Sequence, residues 1–97
     1  MSINDRSMKR LLEWLIAGTR GGVTRAQIIQ TIKETPKNAN QLAGLLNRDY
    51  RTIRHHLDVL QKHRIIESVG DGYGATFFLS HQLEENYALF EEILKRL

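Results

Sequence analysis

Apolar residues recur at helical spacing in five segments of the chain. Within each segment, positions three and four apart are apolar, which places these side chains on one face of a helix. Gly18, Gly21 and Gly22 are expected to end the first segment, and Pro36 the second. The pattern predicts helices over residues 7–17, 24–34, 38–46, 49–63 and 81–97.

The second and third of these helices each begin at a recognisable capping signal. Thr24 and Gln27 have the spacing of a capping box, and Val23 and Ile28 can form the hydrophobic staple around it. Asn38 can cap the third helix, because its side-chain oxygen can accept an N–H group of the first turn.

Two short segments after the fourth helix have the composition of β-strands. Residues 65–69 and 75–79 are rich in β-branched and aromatic residues, and a turn with three glycines separates them. This predicts a β-hairpin. We expect a further, very short strand near Lys37.

The third and fourth helices are separated only by Asn47-Arg48-Asp49. Asp49 is suited to cap the fourth helix, and Asn47 tolerates left-handed geometry in the turn. A short helix, a tight polar turn and a helix with an inward apolar stripe predict a helix-turn-helix, and the hairpin after it is a wing. The expected fold is mainly α with a small β-hairpin: a winged helix-turn-helix with N- and C-terminal helices for dimerisation.

The fourth helix has a polar face opposite its apolar stripe. Arg51, His55, Asp58 and Lys62 gather there, with Arg54 on the flank. One interpretation is an ordinary solvated surface. The other is a surface that reads the DNA major groove, where Arg can pair bidentately with guanine.

The last helix carries an apolar seam with spacings of four, three, four and three residues. Its members are Leu83, Tyr87, Phe90, Leu94 and Leu97. One alternative is that this helix covers the core of its own domain. We prefer a dimer contact shared with Leu11 and Leu15 of the first helix, because two amphipathic end helices exceed the need of so small a domain.

Charge is unevenly distributed along the 97 residues, whose net charge is +3. Residues 20–64 carry nine Lys or Arg against three acids, and residues 65–97 carry two against six. A basic middle favours a polyanionic partner. The length predicts one domain over 1–97, with an N-terminal helix at 1–18, a winged helix-turn-helix core at 23–80 and a C-terminal dimerisation helix at 81–97.

Several classes of function are disfavoured. The absence of Cys excludes disulfides, thiolate metal ligands and Cys nucleophiles. We recognise no catalytic constellation and no His pair at metal-ligand spacing, so we expect no enzyme, no metal and no cofactor. No apolar run has the length of a membrane span, and residues 1–10 lack an apolar signal core, so we expect a cytoplasmic protein.

The adjacent histidines have different expected roles. Their side chains diverge by about 100° on a helix and do not form a chelating pair. His55 points outward, where a contact with Asp58 is expected. His56 lies at the edge of the inward face and is expected to be a structural residue with a local hydrogen bond.

The chain resembles the ArsR-like winged-helix transcription regulators, especially their small archaeal members. The resemblance covers residues 22–80 and rests on Asn38-Ala39-Asn40-Gln41-Leu42-Ala43, on Asp49-Tyr50-Arg51-Thr52-Ile53-Arg54-His55-His56-Leu57-Asp58-Val59-Leu60, and on Gly72-Tyr73-Gly74. It implies a homodimer that places two recognition helices in successive major grooves. The chain departs from the metal-sensing members, which use Cys and His ligands, and from wings that carry Lys or Arg at the tip.

DNA-binding residues are predicted on and around the fourth helix. Arg51 and Arg54 lie in its first turns and are expected to contact bases, and Tyr50 and His55 share that surface. Tyr73 is expected either to lie on the sugar-phosphate backbone or to pack on the hairpin. Phosphate contacts are expected from Asn40, Gln41, Arg48, Thr52 and Lys62.

These patterns predict a homodimeric, sequence-specific regulator of transcription that binds double-stranded DNA. An alternative is a winged-helix adaptor that binds protein in a transcription complex. Such an adaptor favours an apolar or acidic outer face on the fourth helix, against which Arg51, Arg54 and Lys62 argue. Another alternative is a small-molecule sensor with a pocket between the end helices.

Overall fold

The structure of the chain is a computed structural model that describes residues 5–97, with side chains from Arg6 onward. Residues 1–4 of the predicted N-terminal segment lie outside this range. The helices are α1 (Asp5–Leu12), α2 (Gly22–Glu34), α3 (Ala39–Leu46), α4 (Tyr50–Lys62), α5 (His81–Glu85) and α6 (Tyr87–Leu94). The strands are β1 (Lys37–Asn38), β2 (Ile66–Val69) and β3 (Thr76–Leu79). A helix-turn-helix followed by a hairpin is the winged-helix fold, as predicted.

The three strands form one antiparallel sheet in the order β1-β3-β2. Lys37 of β1 lies opposite Phe77, and Ile66 of β2 lies opposite Leu79. The predicted hairpin is confirmed, closed by a 3₁₀ turn at Gly72–Gly74, and so is the short strand near Lys37. Phe77 and Leu79 alternate with less buried neighbours along β3, which is the pattern of a sheet with one face on the core.

The first helix does not end at Leu12 but continues as a π-helical turn over Glu13–Ala17. The N–H of Gly18 donates to the Glu13 carbonyl at 2.8 Å, five residues back. The wider turn shifts the inward face by about one residue. Leu15 and Ile16 are therefore buried after Leu12, whereas Trp14 stays half exposed.

The helix start predicted at Thr24 is wrong. α2 begins at Gly22, and Thr24 is buried within its first turn. Val23 is 51% exposed, so the predicted staple is wrong as well. The cause is a backbone contact between segments, because a Cβ atom on Gly22 would lie 1.7 Å from the Ile16 carbonyl oxygen. Only glycine, which has no Cβ atom, fits this close to the Ile16 carbonyl, and α2 starts at this position.

The caps of the helix-turn-helix agree with the prediction. Asn38 Oδ1 accepts the Gln41 N–H at 2.8 Å, and Gln41 Oε1 accepts the Asn38 N–H at 2.8 Å, which completes a capping box. Asn47 ends α3 in the left-handed conformation with φ 54°. Asp49 caps α4. Local side-chain chemistry therefore sets this turn.

The apolar seam predicted for the last helix is interrupted at Asn86, which separates α5 from α6. Leu83 and Phe90 have no exposed surface, and neither has Leu15. These three residues pack in the core of one chain, which is the alternative that the sequence left open, so they offer no surface to a partner. The other predicted dimer residues are partly or largely exposed: Leu11, Tyr87, Leu94 and Leu97.

Two ion pairs attach the C-terminal helices to the rest of the chain. Lys33 of α2 binds Glu84, with Nζ and Oε2 2.8 Å apart, and its ammonium lies 4.7 Å from the centroid of the Tyr87 ring. Arg96 binds Glu13 at 2.6 Å. α5 and α6 are thereby tied to both α2 and the first helix.

We predict that Gly22→Ala lowers the free energy of unfolding by about 3 kcal/mol or more, because the clash is with backbone that cannot rotate away. Gly44→Ala is the matched control. Gly44 lies inside α3, and a Cβ there meets nothing within 4 Å. It should raise the free energy of unfolding by about 0.5–1 kcal/mol. Urea denaturation measures both, and equal effects would contradict the close approach at Gly22.

Candidate nucleic-acid interface

α4 presents a polar face to solvent, and its opposite face packs in the hydrophobic core. Arg51, His55, Asp58 and Lys62 are all exposed on this face, as predicted from their spacing. The opposite stripe has no exposed surface and consists of Ile53, Leu57 and Leu60. The helix therefore presents three basic side chains and one acidic side chain to solvent.

The start of α4 is stabilised by its cap. Asp49 Oδ1 accepts the Thr52 N–H at 2.7 Å, and the Thr52 hydroxyl donates to Asp49 Oδ2 at 3.1 Å. These bonds from Thr52 hold the pKa of the Asp49 carboxyl below its ordinary value. The Thr52 hydroxyl, for which a phosphate contact is predicted, thus donates to Asp49 within the cap when no DNA is bound.

The other predicted phosphate contacts lie at the start of α3, in the turn and at the end of α4. Asn40, Arg48 and Lys62 are exposed. Gln41 is also exposed, but its carbonyl oxygen is used in the capping box, which leaves its amide Nε2 to donate. These four side chains therefore have donors exposed to solvent.

The flank of α4 that faces the wing carries an ion pair. Arg54 Nη2 lies 3.0 Å from Asp58 Oδ1, one helical turn away. The Arg54 guanidinium also lies 5.7 Å from the centroid of the Phe77 ring in β3. The contact expected between His55 and Asp58 is therefore wrong, because Asp58 turns towards the wing-side Arg54.

Tyr73 at the wing tip lies against α4. Its ring centroid is 5.7 Å from that of Tyr50, with the planes tilted by 41°, and the residue is 74% exposed. The hairpin packing that we offered as one alternative is thus not what holds it. Between wing and helix is a groove of about 410 Å³, lined by Tyr50, Arg54, Phe77, Tyr73 and neighbouring wing residues.

The other flank of α4 is joined to α2 by a buried Arg–His contact that sequence reasoning missed. Arg25 is 6% and His56 8% exposed, and Arg25 Nη1 lies 3.2 Å from His56 Nδ1. Arg25 Nε donates to the Leu15 carbonyl at 2.9 Å, and Nη2 donates to the Thr19 hydroxyl. His56 is structural, as predicted, but its partner is 31 residues away rather than local.

The sequence did contain a signal for this contact. Arg25 precedes Ile28, Ile29 and Ile32 at helical spacing and so lies on the inward face of α2. Its charge also places it among the cations of the basic middle. A cation on an apolar face needs buried acceptors, so its position predicts a polar contact inside the domain.

Desolvation by burial, and then the neighbouring Arg25 cation, lower the pKa of His56 to about 4. The ring is therefore neutral at physiological pH and its Nδ1 accepts from Arg25. The His55 ring packs against it edge to face, with 5.2 Å between centroids. Among residues 6–97, no group of three His, Cys, Asp or Glu is arranged to hold a metal ion.

Comparison with known proteins places the winged-helix core in a family. The family model HVO_A0114 matches residues 23–80, which is the helix-turn-helix with its wing and most of α2. The chain belongs to the HVO_A0114 family. No curated protein matches its sequence.

Solved structures of winged-helix regulators are similar to this HVO_A0114 member. A "probable transcriptional regulator" from Pseudomonas aeruginosa is 24% identical, with a TM-score of 0.64 over 94% of this chain and 74% of that one. A second match is Mb0332 from Mycobacterium bovis, described as a homodimeric winged helix-turn-helix DNA-binding domain and "a possible ArsR-family transcriptional regulator". It is 14% identical, with a TM-score of 0.67 over 98% and 87% of the two chains.

A MarR family protein from Bacillus stearothermophilus is also similar, at 15% identity and a TM-score of 0.59. The match covers 94% of this chain but only 61% of the longer neighbour. At such identities the likeness shows the winged-helix fold alone. Within the described residues of the HVO_A0114 member, none of the helices is both long and apolar enough to cross a membrane.

We predict that acid destabilises the fold through His56. The unfolded chain takes up a proton near pH 6.5, whereas the folded chain does so only near pH 4. The contribution of His56 to the free energy of unfolding is therefore complete above pH 6.5 and is lost as pH falls towards 4, by up to about 1.4 kcal/mol per pH unit. Urea unfolding across this range should show that His56→Gln flattens the slope.

His55→Gln is the control for this measurement, because His55 is exposed on the same turn of α4. This variant should retain most of the wild-type loss of stability in acid. A wild-type slope that survives in His56→Gln would assign the pH dependence to other groups.

Proposed function

We propose that the chain is a sequence-specific regulator of transcription that binds double-stranded DNA as a homodimer, of ArsR-like type. The observation that carries the proposal is the exposed face of α4, where Arg51, His55 and Lys62 project from a helix held by buried residues. A rigid helix with cations outward and a wing beside it has the form of a major-groove reading element. Residues 1–97 act as one DNA-binding domain in this proposal, which involves no cofactor, metal or catalytic step.

Roles on DNA follow from position along α4 and α3. Arg51 in the first turn contacts a base, with Arg54 beside it, and Tyr50 and His55 border that contact. Tyr73 adjoins the backbone from the wing. Phosphates are bound by the exposed donors of Asn40, Gln41, Arg48 and Lys62.

The homodimer in this proposal uses the outer side of the paired end helices. α1 and α6 pack against each other, and an ion pair joins Glu13, which follows α1, to Arg96, which follows α6. Leu97 is 53% exposed there. Leu11, Tyr87, Leu94 and Leu97 supply the contact, and the buried Leu15, Leu83 and Phe90 support it from within. The Mycobacterium bovis neighbour is described as homodimeric.

A winged-helix adaptor that binds protein is a second candidate, and one observation favours it. Residues 65–94 contain no Lys or Arg, so the wing has no cation for a phosphate. Its exposed apolar and aromatic residues, Val69 and Tyr73, suit a protein surface as well. The basic face of α4 favours DNA over this candidate.

We predict that base and phosphate contacts differ in their dependence on salt. Arg51→Ala should cost about 1–3 kcal/mol on the cognate duplex and relax base preference. Lys62→Ala should weaken binding to cognate and scrambled duplexes alike and lower the salt slope by about one per monomer. Affinities of both variants for both duplexes, measured against salt concentration, test these effects.

Lys95→Ala removes an exposed cation at the end of α6 and is the matched control, for which we expect little change. Equal losses on both duplexes for Arg51→Ala would make α4 a general basic surface rather than a reading element. If neither Arg51→Ala nor Lys62→Ala alters DNA binding, the adaptor function replaces the proposal.

We predict that Leu97→Glu weakens the homodimer. Burial of a Leu side chain is worth about 1.5–3 kcal/mol, and a two-fold interface uses the position twice. Light scattering on dilution should show dissociation at higher protein concentration than for the wild type. Leu45→Glu is the control, because Leu45 is 61% exposed on α3, away from the end helices. A wild-type protein that is monomeric throughout would overturn the dimer.

A further inference from the structure

Asp58 is an acid in the middle of the cationic face of α4. Its side chain is 64% exposed, on the same face as Arg51, His55 and Lys62. An acid at this place opposes any attraction to DNA phosphates. Among the residues that the structure describes, Asp58 pairs with Arg54 of the same helix, 3.0 Å away, whose side chain is 34% exposed. An exposed pair at this spacing contributes little to stability, so its position on the DNA-facing side calls for a different explanation.

Docking α4 in a major groove removes water from the Asp58 carboxylate. The loss of that hydration is costly unless a hydrogen-bond donor replaces it. Base edges in the major groove offer only two donors, the exocyclic amino groups of cytosine N4 and adenine N6. Asp58 can therefore enter the groove at low cost only where such an amino group faces it.

Arg54 is oriented beside this acceptor by two contacts. Asp58 binds Nη2 on one side, and the Phe77 ring of β3 lies 5.7 Å from the guanidinium on the other. A guanidinium has five N–H donors, so donors remain for a base after the Asp58 contact is made. The two side chains together present donors and an acceptor side by side, in a geometry that exists before DNA arrives.

We propose that Asp58 is a specificity-determining residue: its carboxylate accepts from the N4 amino group of a cytosine, while Arg54, which it orients, donates to a neighbouring guanine. The inference rests on the proposed function and deepens it. DNA sequences without an amino group at this position leave the carboxylate desolvated and unpaired, so the protein binds them more weakly. Asp58 thus increases the discrimination between DNA sequences and does not increase the affinity for DNA.

Asp58→Asn tests the inference, because the amide keeps the shape of the side chain and removes its charge. Asn pairs bidentately with adenine through N6 and N7. In selection of bound duplexes from a random DNA pool, the wild type should enrich a motif with cytosine at one position, and Asp58→Asn should replace that cytosine by adenine. The ratio of cognate to scrambled affinity should fall roughly ten-fold, with scrambled duplex bound several-fold more tightly.

Glu92→Gln is the matched control, since it removes one exposed acid on α6 and should change neither motif nor ratio. Arg54→Met should lose the guanine beside the cytosine, and the double variant should lose less than the two single changes together. Thermal melting of each variant establishes that it is folded.

The outcomes separate the inference from the proposed function. A wild type that enriches no motif overturns both. A wild type with a motif that Asp58→Asn leaves unchanged overturns the role of Asp58 and leaves the proposed function standing. If Asp58→Asn raises affinity for cognate and scrambled duplexes equally, Asp58 is a general source of repulsion, and the inference is overturned as well.

Discussion

The position of α4 depends on the contacts of the buried Arg25 guanidinium. A buried cation is costly unless acceptors replace its hydration. Here the acceptors are the Leu15 carbonyl, the Thr19 hydroxyl and His56 Nδ1, so one side chain connects the π-helical turn, the following loop and α4. The neutral state of His56 belongs to the same arrangement, because a protonated ring could not accept from Arg25.

The two flanks of α4 are held in different ways. The flank on α2 is buried and fixed by the contacts of Arg25, whereas the flank on the wing has surface contacts, Arg54 with Asp58 and Tyr50 with Tyr73. Surface pairs of this kind contribute little to the stability of the fold. The orientation of α4 is therefore set from its buried side, and the contacts on its wing side set the positions of exposed side chains.

Local chemistry explains where prediction from sequence succeeded and where it failed. The caps at Asn38 and Asp49 depend on atoms within three residues, and both are present. Thr24 has equally good capping chemistry, but the approach of Gly22 to Ile16 starts the helix earlier. A capping signal therefore predicts the first residue of a helix only where no contact from outside that turn determines where the helix begins.

The sequence by itself determined the helices, the hairpin and the outward face of α4, because periodicity and side-chain capping act over a few residues. The tertiary structure decided which side chains contact one another. Asp58 lies within reach of both His55 and Arg54 on the helix, and packing of Arg54 near Phe77 of the wing accompanies the pairing with Arg54. Arg25 is placed inward by its spacing, yet its acceptor in α4 is 31 residues away. Such contacts depend on how elements pack, and that information is not contained in any local stretch of sequence.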